Sequence, residues 1–179
     1  MKRAVFLDRD GVIIRTDIRD GKPYAITSLE ALDILEGVEN AIQRFKEAGF
    51  MTIVVSNQPD VAAGKVSLED VEAMNRMLME KLAIDDIKVC YDSTASCYKP
   101  NPGMLVEAAK EHEISLEESY MIGDRWRDVG AGKAAGCYTV FIDCGYTEHL
   151  TDTPDAIVSS ITEAADLILS REQGAANKS

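Results

Sequence analysis

Short apolar runs alternate with amphipathic segments along this chain. Six runs are typical of strands, and several are rich in β-branched residues, as expected where both sheet faces are covered: AVFL, MTIVVSNQ, IKVCY, YMIGD, CYTVFID and AIVSS. Between the runs, apolar residues recur at helical spacing, as in Val38, Ile42 and Phe45. Alternation of this kind predicts an α/β fold with a doubly wound, mainly parallel sheet.

Capping residues divide the chain into these elements without leaving a linker between domains. Ser67, with an acidic residue three positions later, resembles a capping box at the start of a helix. Further helices are predicted around Val129–Ala135 and from about Ile161 to Ser170. We therefore predict a single domain over residues 1–171 and a flexible C-terminal tail over residues 172–179.

Polar side chains follow three of the predicted strands. Asp8 and Asp10 come directly after the first strand, Ser56 and Asn57 end the second, and Asp124 follows YMIG. In open α/β sheets, ligands bind beyond the carboxyl ends of the strands. These side chains are therefore expected to share one crevice.

The residue types in that crevice favour phosphate chemistry. Two carboxylates about 4 Å apart repel by roughly 4 kcal/mol near a protein surface, and Mg²⁺ bound by Asp8 and Asp124 would offset this cost. Lys99 would neutralise a phosphate group beside the metal. Asp8 is the predicted nucleophile, forming an aspartyl phosphate, and Asp10 the general acid and then general base.

Four segments, in order, resemble the motifs of the haloacid dehalogenase (HAD) superfamily of phosphatases: FLDRDGVI, VVSNQ, YKPNPGML and GDRWRD. The resemblance covers essentially the whole chain and implies a Rossmann-like HAD core. It adds four assignments to the nucleophile and acid/base pair. They are the Asp10 backbone carbonyl as a metal ligand with Asp8 and Asp124, phosphate binding by Ser56 and Asn57, Lys99 as the positive partner of the phosphate, and Asp128 as a supporting group or partner of Lys99.

The DRDG, NQ, KPNPGM and GDxxxD forms resemble one branch most closely, which contains D-glycero-D-manno-heptose 1,7-bisphosphate phosphatase and histidinol-phosphate phosphatase. The resemblance implies an Mg²⁺-dependent phosphomonoesterase that removes the 7-phosphate of a heptose bisphosphate or acts on a related sugar phosphate. Histidinol phosphate or another small metabolite is the alternative substrate. A receiver-like or idle phosphate-binding domain is the alternative without catalysis, although in receiver domains the lysine follows the phosphoacceptor near the C-terminus, and here Lys99 precedes Asp124.

The chain departs from this branch at a loop that often binds zinc. The loop normally carries three cysteines and a histidine, whereas CYDSTASCYKP keeps only Cys90 and Cys97. Tetrahedral zinc needs four good ligands, so zinc is not expected as a cofactor. We interpret all four cysteines as reduced thiols, because no secretory signal precedes them.

Two further departures concern the substrate. Ala63 and Tyr98 stand where related enzymes usually carry arginines, the side chains preferred for bidentate phosphate binding. A second phosphate is therefore expected to be bound less strongly or elsewhere. Arg125, Trp126 and Arg127 are compatible either with a solvated basic turn or with substrate contact, and Arg9 is expected to point away from the neighbouring aspartates.

The spacing between motifs leaves no room for a large cap domain, which would need on the order of 60 residues. Residues 15–30, which contain a Gly-Lys-Pro turn, are therefore the predicted cover of the site. A net charge of −12 among 179 residues argues against a nucleic-acid partner. With no apolar run long enough to span a bilayer, we expect a cytoplasmic monomer or small homo-oligomer that acts on a small-molecule phosphate ester.

Overall fold

A six-stranded sheet and a two-stranded hairpin form the framework of the computed structural model, which describes residues 1–177. The strands are β1 (Arg3–Leu7), β2 (Asp17–Arg19), β3 (Lys22–Tyr24), β4 (Phe50–Asn57), β5 (Asp86–Cys90), β6 (Tyr120–Gly123), β7 (Tyr138–Ile142) and β8 (Ala156–Val158). The α-helices are α1 (Val38–Glu47), α2 (Leu68–Lys81), α3 (Gly103–His112), α4 (Trp126–Ala135) and α5 (Ile161–Ala176).

The large sheet has the order β5-β4-β1-β6-β7-β8, and every neighbouring pair is parallel. This confirms the predicted doubly wound α/β fold. The first strand lies in the middle because the chain adds strands on one side of β1 and then crosses to the other. The carboxyl ends of β4, β1 and β6 are therefore neighbours, which determines where the site forms.

Both faces of the sheet are covered by helices. Side chains alternate along a strand, so Val5 and Leu7 of β1 pack into one hydrophobic core, and Ala4 and Phe6 into the other. The first core is closed by apolar residues of α1, α2 and α5, and the second by those of α3 and α4. Burial on both sides explains why β1 has no polar residue between Ala4 and Leu7.

Helix α4 begins at Trp126, three residues before the predicted start at Val129. The cause is Asp128, whose Oδ2 accepts a hydrogen bond of 3.0 Å from the backbone N–H of Arg125. A carboxylate that caps a free N–H in this way stabilises the first turn. As a result, Arg127 and Asp128 belong to a helix rather than to a turn.

Helix α5 corrects the predicted C-terminal tail. The helix continues through Ala176, so residues 172–176 are helical, and residues 178 and 179 lie outside the described part of the chain. Glu172 explains the extension, because it pairs with Arg3 and accepts a hydrogen bond of 2.5 Å from the hydroxyl of Tyr120. Such long-range partners are invisible to local sequence pattern.

The expectation of four reduced cysteines is wrong for one pair. Cys90, at the end of β5, is bonded to Cys97, and their Cα atoms lie 5.7 Å apart. Two successive turns reverse the chain between them, since Ala95 N–H donates to the Asp92 carbonyl and Tyr98 N–H to the Ala95 carbonyl, each at 3.1 Å. Cys137, which is buried, and Cys144, which is exposed, are free thiols.

The segment predicted to cover the site forms the antiparallel hairpin β2–β3, followed by a short 3₁₀ turn at Leu29–Ala31. The hairpin is largely exposed, and it is tied to the body of the protein by a 3.0 Å hydrogen bond from Thr147 N–H to the Gly21 carbonyl. Within residues 1–177, no helix is long and apolar enough to cross a lipid bilayer.

Candidate active site

Three buried carboxylates meet at the carboxyl ends of β1 and β6. Asp8 follows β1, Asp124 follows β6, and Asp128 reaches back from the first turn of α4. Oxygen atoms of all three lie within 4.8 Å of one another. Local sequence brings Asp124 and Asp128 together, but their approach to Asp8 requires the parallel pairing of β1 with β6.

Lys99 provides the positive charge between these carboxylates. Its side chain is only 2% exposed, and Nζ lies 2.9 Å from Asp8 Oδ1 and 2.6 Å from Asp128 Oδ1. Nζ also donates to the backbone carbonyl of Val55 at 2.8 Å. Burial alone would lower the pKa of Lys99, but the two carboxylates outweigh it and raise this pKa, so the ammonium stays charged.

The same environment disfavours charge on Asp8 and Asp124. Burial and repulsion from Asp128 raise the pKa of Asp8, although Lys99 and the N–H of Arg9 oppose the shift. Burial, followed by repulsion from Asp8 and Asp128, raises the pKa of Asp124 well above its ordinary value. The cluster therefore holds more negative charge than its own lysine compensates.

Asp124 has the free ligand atom that a cation requires. Its Oδ2 accepts a hydrogen bond of 2.7 Å from the Tyr146 hydroxyl, whereas its buried Oδ1 has no hydrogen-bond partner among residues 1–177. Gly11 leaves room for this carboxylate, because its φ is +89° and a Cβ there would lie 1.9 Å from Asp124 Oδ2. An unpaired carboxylate oxygen beside a second carboxylate fits a hard divalent cation.

Asp10 stands apart from this cluster and is held by two residues of its own. Arg9 places NH2 3.1 Å from Asp10 Oδ1, and Gln58 Nε2 donates to Asp10 Oδ2 at 2.7 Å. The expectation that Arg9 points away from its aspartate neighbours is therefore wrong. The Arg9 side chain is buried and forms an ion pair with Asp10. Gln58 was not predicted as a site residue. Its position directly after Ser56 and Asn57 in the VVSNQ motif could have indicated it.

The polar side chains of the second motif, VVSNQ, are bonded to different partners within the protein. Ser56 is fully buried, and its Oγ accepts a hydrogen bond of 2.8 Å from Gln58 Nε2. Asn57 lines the cavity, but its side chain is bonded to the backbone of Lys99, with Nδ2 3.1 Å from the carbonyl and Oδ1 3.0 Å from N–H. Asn57 thus fixes the loop that carries the lysine.

A cavity of about 450 Å³ opens over Asp8, Asp10 and Lys99. The segment containing β2 and β3 forms one wall with Thr16, Arg19, Pro23, Tyr24, Ala25 and Thr27. Further lining residues come from the loop after β4 and from the start of α4, namely Pro59, Asp60, Lys65, Arg125 and Arg127. The predicted cover is thus a short hairpin that contributes directly to the binding cavity.

Known proteins share both this sequence and this architecture. A HAD-hydrolase-like family model matches residues 96–164. A D-glycero-D-manno-heptose-1,7-bisphosphate 7-phosphatase of Thermosynechococcus vestitus is 31% identical, with 92% of this chain and 94% of that protein aligned. The D-glycero-beta-D-manno-heptose-1,7-bisphosphate 7-phosphatase of Escherichia coli K12 is 30% identical, with 96% of each chain aligned.

This chain belongs to the HAD superfamily of phosphatases. Its relatives place it in the branch of the heptose bisphosphate phosphatases, as the four motifs indicate. Among solved structures, the D,D-heptose 1,7-bisphosphate phosphatase from B. bronchiseptica, complexed with magnesium and phosphate, aligns with a TM-score of 0.79 and 25% identity. That alignment covers 96% of this chain and 99% of the other, so the shared architecture extends over the whole HAD core.

The contacts that Tyr146 and Glu148 make in the site of this HAD phosphatase were not expected from sequence. Tyr146 lies beyond β7 and outside every motif, yet its hydroxyl contacts the predicted metal ligand Asp124. Arg125 is held by Glu148, whose two oxygens lie 2.8 Å from Arg125 Nε. The loop after β7 therefore buttresses the site from the side, through contacts that only the folded chain creates.

Proposed function

We propose that this phosphatase removes the 7-phosphate of D-glycero-D-manno-heptose 1,7-bisphosphate, or of a closely related sugar bisphosphate, with the help of Mg²⁺. The observation that carries the chemistry is Asp124 Oδ1, which has no hydrogen-bond partner among the described residues and lies in a cluster with Asp8 and a buried Lys99. The choice of substrate is supported by relatives at 30% and 31% identity that are aligned over nearly the whole chain.

The metal would be held by the carboxylates of Asp8 and Asp124 and by the backbone carbonyl of Asp10. A bound Mg²⁺ supplies charge neutralisation at the phosphoryl oxygens and thereby lowers the barrier to attack by an anion. Lys99 adds a fixed positive charge 2.9 Å from Asp8. Ser56 and Asn57 are the proposed neutral contacts of the phosphate, which requires them to share or exchange their present bonds to Gln58 and to the Lys99 backbone. Asp128 holds Lys99 in place through their 2.6 Å ion pair.

The first chemical step is attack by the Asp8 carboxylate on phosphorus. A bond forms between an Asp8 oxygen and phosphorus, and the bond between phosphorus and the sugar oxygen breaks. Asp10, protonated, gives its proton to the departing sugar oxygen, which leaves as an alcohol. Gln58 and Arg9 fix the Asp10 carboxyl group, so that the proton is delivered from a defined position.

The second step restores the enzyme. Asp10, now ionised, takes a proton from a water molecule whose oxygen attacks the phosphorus of the aspartyl phosphate. The bond between Asp8 and phosphorus breaks, which releases inorganic phosphate and leaves Asp8 as a carboxylate and Asp10 protonated. A single carboxyl group thus acts as acid and then as base, which accounts for two aspartates beside one strand end.

The test is phosphate release from purified protein. D-glycero-D-manno-heptose 1,7-bisphosphate, heptose 7-phosphate, fructose 1,6-bisphosphate and histidinol phosphate are each assayed in Mg²⁺ and in EDTA. We expect Mg²⁺-dependent release with the heptose bisphosphate as the best substrate. Equal release in EDTA would refute the metal assignment, and a higher kcat/KM for histidinol phosphate would refute the substrate assignment.

Asp10→Asn tests the proton transfer separately. We expect kcat to fall by about 10²- to 10⁴-fold, because the leaving oxygen is no longer protonated. Asp33→Asn is the matched control, since Asp33 is an exposed aspartate paired with Arg15 at 2.7 Å. A kcat for Asp10→Asn within threefold of the control would contradict the acid/base assignment.

A further inference from the structure

The proposed substrate keeps one phosphate when it loses the other, so the cavity must also accommodate a second dianion. Lys99 is committed to Asp8 and Asp128 at the reacting end. A cation at the cavity wall would be the strongest partner for the retained group, because charge-assisted hydrogen bonds to phosphate are about twice as strong as neutral ones.

Among residues 1–177, four further cationic residues line the cavity, and three of them are paired with carboxylates. Arg125 is held by Glu148 at 2.8 Å, and Arg19 lies 3.2 Å from Asp17. Lys65 lies 3.8 Å from Asp60, and its side chain is 68% exposed. Arg127 is the fourth, and no carboxylate oxygen within residues 1–177 lies within 4.0 Å of its guanidinium nitrogens.

Aromatic rings hold Arg127 in place of a carboxylate. Its guanidinium carbon lies 5.6 Å from the ring centre of Tyr98 and 5.1 Å from that of Trp126. Such contacts attract the cation without using its N–H donors, which stay available for a bidentate acceptor. Tyr98 directly precedes Lys99, so the ring that supports Arg127 is joined covalently to the lysine at the reacting end.

The position of Arg127 is unfavourable for the helix that carries it. Arg127 lies in the first turn of α4, where the helix dipole already contributes positive charge and where acidic residues are preferred. An anion bound at Arg127 would remove this repulsion. Helix stability therefore gives no reason for an arginine here, whereas anion binding does.

We infer that Arg127, supported by Tyr98 and Trp126, binds the phosphate group that the substrate retains and so selects bisphosphates over monophosphates. This inference rests on the proposed function, because it assigns the specificity of the same cavity. Arg127 is a specificity residue: it contacts the distal end of the substrate, and the chemical step at Asp8 and Asp10 does not use it.

The test compares kcat/KM for heptose 1,7-bisphosphate with kcat/KM for heptose 7-phosphate. Arg127→Gln should lower the first value by about ten- to a hundredfold, because a charge-assisted bidentate contact is lost. The second value should change by less than about threefold, since that substrate has no distal phosphate. Arg127→Lys should fall between wild type and Arg127→Gln for the bisphosphate only, because a lysine keeps the charge without the planar fork.

Arg19→Gln is the matched control, because Arg19 lines the same cavity but is paired with Asp17. We expect it to change the ratio of the two kcat/KM values by less than Arg127→Gln does. Equal losses on both substrates in Arg127→Gln would overturn the inference, as would an unchanged value for the bisphosphate.

Calorimetry separates failure of this inference from failure of the proposed function. Binding of the bisphosphate and of the 7-phosphate is measured in Mg²⁺ with Asp8→Asn, which lacks the proposed nucleophile and is expected to bind without turnover, and with Asp8→Asn/Arg127→Gln. We expect the second substitution to weaken binding of the bisphosphate alone, by about tenfold or more. If wild type hydrolysed neither sugar, the proposed function would fail, and equal bisphosphate affinities for the two variants would still overturn the role of Arg127.

Discussion

Removal of Lys99 tests the electrostatic account of the site most directly. Lys99→Met keeps most of the apolar side chain but leaves Asp8 and Asp128 without the ammonium that lies 2.9 and 2.6 Å from them. At an effective dielectric constant near 20, each of these ion pairs is worth about 6 kcal/mol of Coulomb energy. The cost of burying the lysine charge offsets much of this sum, and breaking a buried ion pair costs about 3–5 kcal/mol in net terms.

We therefore expect Lys99→Met to lower the free energy of unfolding by about 3–5 kcal/mol at pH 7.5 in EDTA. The loss should shrink as the pH falls toward 4.5. Without Lys99 the pKa of Asp8 in the folded protein rises further above its ordinary value, so the folded protein binds more protons than the unfolded chain, and folding is penalised increasingly as the pH rises. Below the pKa of the unfolded carboxyl group the penalty disappears.

Urea unfolding followed by circular dichroism measures this loss, with Lys65→Met as the control. Lys65 lies at the rim of the same cavity, is 68% exposed and has its nearest carboxylate 3.8 Å away, so its loss should cost less than about 0.5 kcal/mol. Lys99→Met can be too unstable for a folded baseline in urea. In that case Lys99→Met/Asp128→Asn should be more stable than the single variant, because it removes one of the two carboxylates left unpaired. A difference below about 1 kcal/mol between the two lysine variants, or a loss independent of pH, would contradict the proposed role of the Lys99 ion pairs.

Three further predictions concern groups that support the site. Tyr146→Phe removes the 2.7 Å hydrogen bond that favours the charged form of Asp124, so the pKa of Asp124 should rise further. The affinity for Mg²⁺ should therefore fall by about tenfold, and by more at pH 6 than at pH 8. Equal calorimetric affinities for Tyr146→Phe and wild type would contradict this. Gln58→Met should lower kcat by about tenfold with little change in KM, because Asp10 loses an orienting hydrogen bond of 2.7 Å. Gln43→Met is the control, because Gln43 is exposed. Equal kcat values for the two variants would exclude a role for Gln58 in orienting Asp10. Cys97→Ser should lower the free energy of unfolding by about 2 kcal/mol, because the bond to Cys90 closes a short loop of the unfolded chain. A reductant should destabilise wild type by a similar amount and leave the variant unchanged. If a reductant has no effect on wild type, this stabilisation by the disulfide is refuted.

The hydrophobic pattern predicted the architecture because the fold is repetitive at the local level. Each strand of the large sheet is a short apolar run, each helix has an apolar stripe, and strict alternation of the two allows few topologies other than a parallel sheet covered on both faces. The positions of Asp8 and Asp124 at strand ends were predictable for the same reason, since each directly follows a short apolar run. The order of the four motifs then indicated the HAD superfamily, to which the relatives show that the chain belongs.

Helix and loop boundaries were predicted wrongly where one particular side-chain contact decided them. The early start of α4 depends on Asp128 capping Arg125, and the length of α5 depends on Glu172 reaching Arg3 and Tyr120. The bond between Cys90 and Cys97 depends on turns that fold the intervening loop back on itself. Residue pattern reports propensity over a few positions, and these contacts lie outside that range or depend on exact loop geometry.

Local sequence pattern was enough to predict the fold class, the edge of the sheet at which Asp8 and Asp124 lie, and the types of residue that gather there. How those residues interact depends on the folded chain: Lys99 bridges Asp8 and Asp128, one oxygen of Asp124 has no hydrogen-bond partner among residues 1–177, and Arg127 lies against two aromatic rings. The physical reason is that these interactions join side chains from β1, β6, α4 and their loops. Their distances depend on the order in which the strands pair, and strand order is a property of the whole folded chain.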